Sequence, residues 1–226
     1  MSRILVAVFL VLLSLGLSGC GTYDWHQKLT VEIETPDGVK VGSAVTEVSW
    51  WENRVFKDGA ALQSKIRGEA VVVDLGNGRY LFALLSHADD TGYTADLAPL
   101  ITMDRDKIVW SLEAITRAKA LSGRISVPSK HLPMFATFTD ITDPKSVKEV
   151  DPANVGTTFG AGYSLKSVTL EITDEAVTKG KIENVLGWVQ DHFDGRLDGN
   201  RYGTIKSLNP FANSVSSGAF TTWRAR

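Results

Sequence analysis

The sequence predicts a β-rich α+β fold, an antiparallel β-sandwich-like arrangement with two or three helices in the second half of the chain. Three patterns point there. Leu29, Val31 and Ile33 alternate with Thr30, Glu32 and Glu34, the period-2 signature of a half-buried strand. Two apolar runs flank Gly76-Asn77-Gly78, residues that accept the positive φ of a tight hairpin turn. Ile182, Val185, Leu186, Val189 and Phe193 recur at helical spacing.

Taken in order, the first strand stops at Pro36-Asp37-Gly38, because proline presets φ and glycine takes a positive one. Residues 39–51 read as a second strand. Residues 52–67 read as polar and irregular, with a break at Asp58-Gly59. Residues 69–75 and 79–85 form the hairpin arms. Both arms are apolar on both faces, which predicts a central pair covered on each side. Residues 87–99 read as loop. Residues 107–121 read as a helix, with Ile108, Leu112 and Ile115 on one face and Gly123 at its C-terminal end. Residues 134–139 and 145–150 are short strands separated by Asp143-Pro144. Asp151-Pro152 fits an N-cap followed by proline at the first helical position, opening a short helix over 153–159 that Gly160 and Gly162 end. Residues 167–173 are a strand. The helix over 182–193 closes at Gly195, and 219–223 reads as a final edge strand. No internal repeat is present.

The N-terminus carries a targeting signal. Arg3 precedes an uncharged apolar run over residues 4–13, and Leu17-Ser18-Gly19-Cys20 follows. A positive start, a short apolar stretch and a small-residue site make a secretory signal. The apolar run is too short for a mature span, which needs about 20 residues. An ordinary signal peptide with a chance cysteine and an N-terminal transmembrane anchor are the alternatives, but with a cysteine at the end of that site the segment most resembles a bacterial lipoprotein signal. Residues 1–19 are then removed, Cys20 receives the acyl chains, residues 20–28 form a lipidated tether, and 29–226 form one α+β periplasmic domain. Two or more acyl chains anchor stably. Gly21 rather than aspartate after Cys20 favours the outer membrane over the inner. Tyr23 and Trp25, in the tether, either pack on the domain or sit at the headgroup level.

Composition narrows the rest. The chain has 226 residues, 43% hydrophobic and 22% charged, with 24 Lys+Arg against 26 Asp+Glu. That is ordinary for a globular domain. No basic block exists, so nucleic-acid binding has no electrostatic footprint. Cys20 is the only cysteine, so stability comes from burial rather than from disulfides.

Two resemblances add to this. Gly42-Ser43-Ala44-Val45 and Gly78-Arg79-Tyr80-Leu81-Phe82 resemble segments of the carboxypeptidase-regulatory-like or transthyretin-like β-sandwich, which implies a sandwich-like first half. The runs Phe138-Thr139-Asp140-Ile141-Thr142-Asp143-Pro144, Val150-Asp151-Pro152, Phe159-Gly160-Ala161-Gly162 and Leu170-Glu171-Ile172-Thr173-Asp174-Glu175 resemble a group of uncharacterised bacterial proteins, many secreted or lipidated. That resemblance implies no activity, ligand or catalytic residue.

The catalytic inventory is sparse. There is no Gly-x-Ser-x-Gly elbow, no His-Glu-x-x-His zinc motif and no thiol beyond Cys20. Gly156, Gly160 and Gly162 lack the Lys-Ser/Thr of a phosphate loop and run from helix to strand, so they read as a turn. His87-Ala88-Asp89-Asp90 could share a metal, but reads better as a solvated loop with a capping aspartate. Asp191 to Asn200 has the look of a calcium loop; counted from Asp194, though, Arg196 and Ile205 stand where ligands should be, so turns are expected. His26 and His131 have no acidic neighbour in sequence and receive no role. No cofactor, metal site or catalytic residue is predicted. The expectation is a membrane-anchored envelope lipoprotein with a non-catalytic binding or structural role. Its partners would be the bilayer, through acylated Cys20, and an unidentified envelope protein. The alternatives are a small-ligand or inhibitor-type binding module, which an enclosed apolar pocket would favour, and a hydrolase acting on envelope polymers, which a cleft with paired carboxylates would favour.

Overall fold

A long hairpin starts the fold. In a computed structural model that describes residues 22–53, 61–86, 92–103 and 111–225, β1 (Thr22–Thr35) and β2 (Gly38–Asn53) pair without a break from Thr22↔Trp51 to Thr35↔Gly38. The turn is held by Thr35, whose hydroxyl donates to the Gly38 carbonyl and accepts from the Asp37 amide, and Gly38 sits at φ +101°. The tether expected over 20–28 is therefore corrected: from Thr22 onward it is strand. Trp25 and Gln27 continue the inward register of Val31 and Ile33 and are buried. A glutamine in that register masked the alternation. Its amide is satisfied by donating to the Thr94 carbonyl, and its side-chain oxygen accepts from the Trp25 indole.

β3 (Ala61–Arg67) pairs with β2 along 61–67, a stretch expected to be irregular. It is an edge strand, and its polar Gln63, Ser64 and Lys65 are what an unpaired edge tolerates. On the other side of β1, β9 (Ser164–Thr173) and the two-residue β6 (Ile125–Ser126) complete a sheet of order β3-β2-β1-β9-β6. Its outer face carries an ion lattice in which Lys166 meets Glu32 and Glu34, and Arg124 meets Glu171.

The second sheet is β4 (Val71–Gly76), β5 (Arg79–Ala83), β7 (Phe135–Phe138) and β8 (Val147–Val150), in the order β4-β5-β7-β8. The hairpin tip is as read: Asn77 at φ +55° and Gly78 at φ +70°. The central placement of both arms is corrected, because β4 is an edge and only β5 is interior. Apolarity on both faces reports cover above and below instead. Val71, Val73, Leu75, Leu81 and Ala83 face the first sheet. Phe82 and Leu84 face a separate core with Ala136, Val147 and Phe220. The sheets approach tightly at Gly42, where a Cβ would stand 2.1 Å from the Val72 carbonyl oxygen.

Helices fill the remaining sides. α1 (Tyr93–Thr102) starts inside the segment read as loop over 87–99, runs past its end and corrects that reading, and α2 (Leu112–Lys119) is capped by Ser111, whose Oγ accepts from the Ala114 amide. Both bury one face in the inter-sheet core through Leu97, Ala98, Ile115 and Ala118. The predicted start of α2 at Lys107 lies outside the described residues. α3 (Val155–Phe159) follows Asp151-Pro152 and ends at Gly160, φ +108°. Its N-cap is Asn154 rather than Asp151, which instead accepts from the Ala153 amide in a local turn. The single helix expected over 182–193 is two pieces. α4 (Lys181–Val185) stops at Leu186, and a 3-10 turn at Val189–His192 follows Gly187. Ile182, Leu186 and Val189 are still fully buried, so the periodicity marked a buried stripe rather than an unbroken helix.

α5 (Pro210–Ser214) precedes the tail. The tail is not an edge strand. Thr221 makes one bridge to Glu69, the Ala70 amide donates to Phe220 and the Leu85 amide to Ala219. Phe220 is driven into the outer core, edge-on to Phe82 with ring centroids 5.6 Å apart.

Candidate functional site

Among the described residues, three hollows and one loop stand out as candidates. The first hollow is narrow, about 20 Å³, and bounded by Gln27, Thr46, Glu69, Ala70, Tyr93 and Thr94, among others. It is too small for any organic ligand. Its one charged wall has a structural partner. The Glu69 carboxylate, 1% exposed, accepts from the amides of Gly180 (2.5 Å), Lys181 (2.9 Å) and Ile182 (3.2 Å) at the start of α4. A buried acid is thus spent on orphan helix donors.

The second hollow is an open groove of about 420 Å³ lined by Arg79, Thr137, Thr139, Lys148, Thr157 and Phe159, among others. It is considered below.

The third lies beside a loop over residues 198–209, and the loop is the more telling feature. Tyr202 (69% exposed), Ile205 (102%) and Leu208 (104%) project from it into solvent. Their exposure is not the slack of an untethered segment. Asp198 accepts from the Ser207 hydroxyl at 2.6 Å and from the Asn200 amide and side chain at 2.9 and 2.8 Å. Buried Asn213 accepts from the Thr204 amide at 2.6 Å and donates to the Tyr202 carbonyl at 3.3 Å. Asn209 caps α5 through the Ala212 amide and donates to the carbonyls of Lys145 and Val147. Burial works to raise the Asp198 pKa, but hydrogen bonds from Ser207, Asn200 and Asn213 outweigh it and hold the carboxyl below its ordinary value. These bonds hold the backbone from which the three apolar side chains project. Lys145 and Lys206 line the hollow at the foot of the loop, about 280 Å³, with Asp198 and Asn200.

Among the described residues, those singled out in the sequence do not converge. Cys20 and the His87-Ala88-Asp89-Asp90 cluster lie outside the described residues. His26 is on β1, its Nδ1 2.7 Å from the Glu175 carbonyl. His131 ends a 3-10 turn, and its carbonyl accepts from the Tyr93 hydroxyl. His192 packs edge-on to Trp188 at 5.7 Å. The calcium-like stretch forms turns: the Arg196 amide donates to Asn200, Gly199 sits at φ +88°, and Asp194 pairs with Arg224 at 3.2 Å. Among the described residues no group of three His, Cys, Asp or Glu side chains stands close enough to hold a metal. No described helix is long and apolar enough to cross a membrane. No family model, curated protein or solved structure matches the chain. The sequence reading passed over the loop because Tyr202, Ile205 and Leu208, three residues apart, are too few to make a periodic signal.

Proposed function

We propose that the chain is a lipid-anchored envelope protein whose periplasm-facing domain binds or braces another envelope component and does not catalyse a reaction. The observation that carries this reading is the pinned loop with Tyr202, Ile205 and Leu208 in water. Three exposed apolar side chains on one hydrogen-bonded loop support a contact with a partner, and pre-ordering such a loop lowers the entropy lost on docking. The small-ligand alternative needs an enclosed apolar pocket, and the hollow between the sheets and α1 among the described residues holds about 20 Å³. The anchor is supported by the motif ending at Cys20. With β1 starting at Thr22, an acylated Cys20 stands only about 7 Å of extended chain from the first sheet. The bilayer then meets the end of the sheet where Thr22 pairs with Trp51. The test is a double variant, Ile205→Ser with Leu208→Ser. It should leave the melting temperature unchanged and abolish complementation of a null strain, as should Cys20→Ser. Full complementation by the folded double variant would overturn the docking role.

A further inference from the structure

The open end of the sandwich breaks the rule that its interior positions are apolar. On β5, Arg79 is in phase with Leu81 and Ala83, which face the first sheet. On β7, Thr137 is in phase with inward Phe135, and Lys148, its partner across the β7–β8 ladder, is in phase with inward Val150. Two cations and a hydroxyl thus occupy core-facing positions at one end of the second sheet. The opposing wall there is α3, which contributes Thr157, Thr158 and Phe159 to the same groove of about 420 Å³. No carboxylate lines it among the described residues. Arg79 is held in place. Its guanidinium donates to the Tyr163 hydroxyl at 2.7 Å and to the Phe159 carbonyl at 3.3 Å, and lies 5.1 Å from the Tyr163 ring centre. A guanidinium has five N–H donors, so further donors remain for a ligand.

We infer that this mouth is a binding site for an acidic oligosaccharide. The cations attract carboxylates, the exposed hydroxyls of Thr139 on one wall and of Thr157 and Thr158 on the other pair with sugar hydroxyls, and Phe159 is the apolar residue of the lining whose ring is not committed to the outer core. A lone oxyanion would leave most of the groove and its hydroxyls unused. The site is separate from the loop over 198–209 and does not depend on the docking role.

The test is calorimetric titration of the intact domain with a uronate hexasaccharide, a neutral glucose hexasaccharide and inorganic phosphate. The uronate chain should bind with an affinity that falls as salt rises, and the neutral chain should bind at least tenfold more weakly. Lys148→Glu changes an exposed side chain, and its melting temperature should match the parent. It should weaken uronate binding tenfold or more. Thr158→Trp, also exposed, should block the groove without altering its charge and give a similar loss. Absence of uronate binding, unchanged affinity in both variants, or phosphate bound as tightly as the hexasaccharide would overturn the assignment.

Discussion

At the scale of single residues, two buried positions hold the layers together. Glu69 gives its carboxylate to three amides at the start of α4. Hydrogen bonds to a charged group contribute about 1.5–3 kcal/mol. Glu69→Ala leaves those donors in a buried site and should lower the unfolding free energy by about 3 kcal/mol in urea titration, whereas Glu69→Gln, which keeps an acceptor, should cost less. Equal midpoints for wild type and alanine variant would refute the cap. Gly42 is the second. A Cβ there meets a backbone carbonyl, which cannot rotate away as a side chain can. Gly42→Ala should separate the sheets locally and cost about 2 kcal/mol, while Gly187→Ala, with nothing within 4 Å of the added Cβ, should not meet a clash. A Gly42→Ala variant as stable as the parent would show that the sheets do not approach this closely.

At the scale of elements, the hairpin tip and the apolar-tipped loop are both decided by local geometry. Gly78 has φ +70° and open space where a Cβ would be, so substitution there tests backbone conformation alone. Gly78→Val should cost more than about 1 kcal/mol, and an unchanged melting point would refute the turn. The loop over 198–209 depends on Asp198 being charged. Its folded pKa is lowered, so its contribution is complete above the ordinary carboxylate range near pH 4 and is lost as pH falls through the lower folded value. Wild type should therefore lose stability on acidification relative to Asp198→Asn, and the gap in melting temperature between them should shrink toward about pH 3. A gap that stays constant with pH would mean that the carboxylate does not hold the loop.

At the scale of the whole molecule, the order of strands interlocks the chain. The first sheet takes β1, β2 and β3 from the beginning and β9 from well past the middle, and the second sheet is made between them. The tail then covers the second sheet's outer face through Phe220 and α5. Neither half has a closed core without the other. Unfolding followed by tryptophan fluorescence and by far-ultraviolet dichroism should therefore give one coincident transition. Two separated transitions would mean that the halves fold on their own.

Much of this was legible in the sequence because it is written in short-range patterns. Period-2 alternation marked β1 and β9, Asn77-Gly78 marked the tip, and a buried stripe marked Ile182, Leu186 and Val189. What the sequence left undecided depends on partners far along the chain. β3 looks irregular by itself because an edge strand can be polar, and it is a strand because β2 supplies the ladder. The 182–193 stripe breaks at Gly187, and Glu69, more than a hundred residues earlier, caps the piece that remains. The same holds for the candidate sites. Arg79 and Lys148 stand in core register in plain view, yet only strand pairing puts them at one mouth opposite α3. Local sequence determines which face a side chain takes, because backbone periodicity is a local property. What lies across from that face is set by the packing of sheets and tail, and only the tertiary structure decides it.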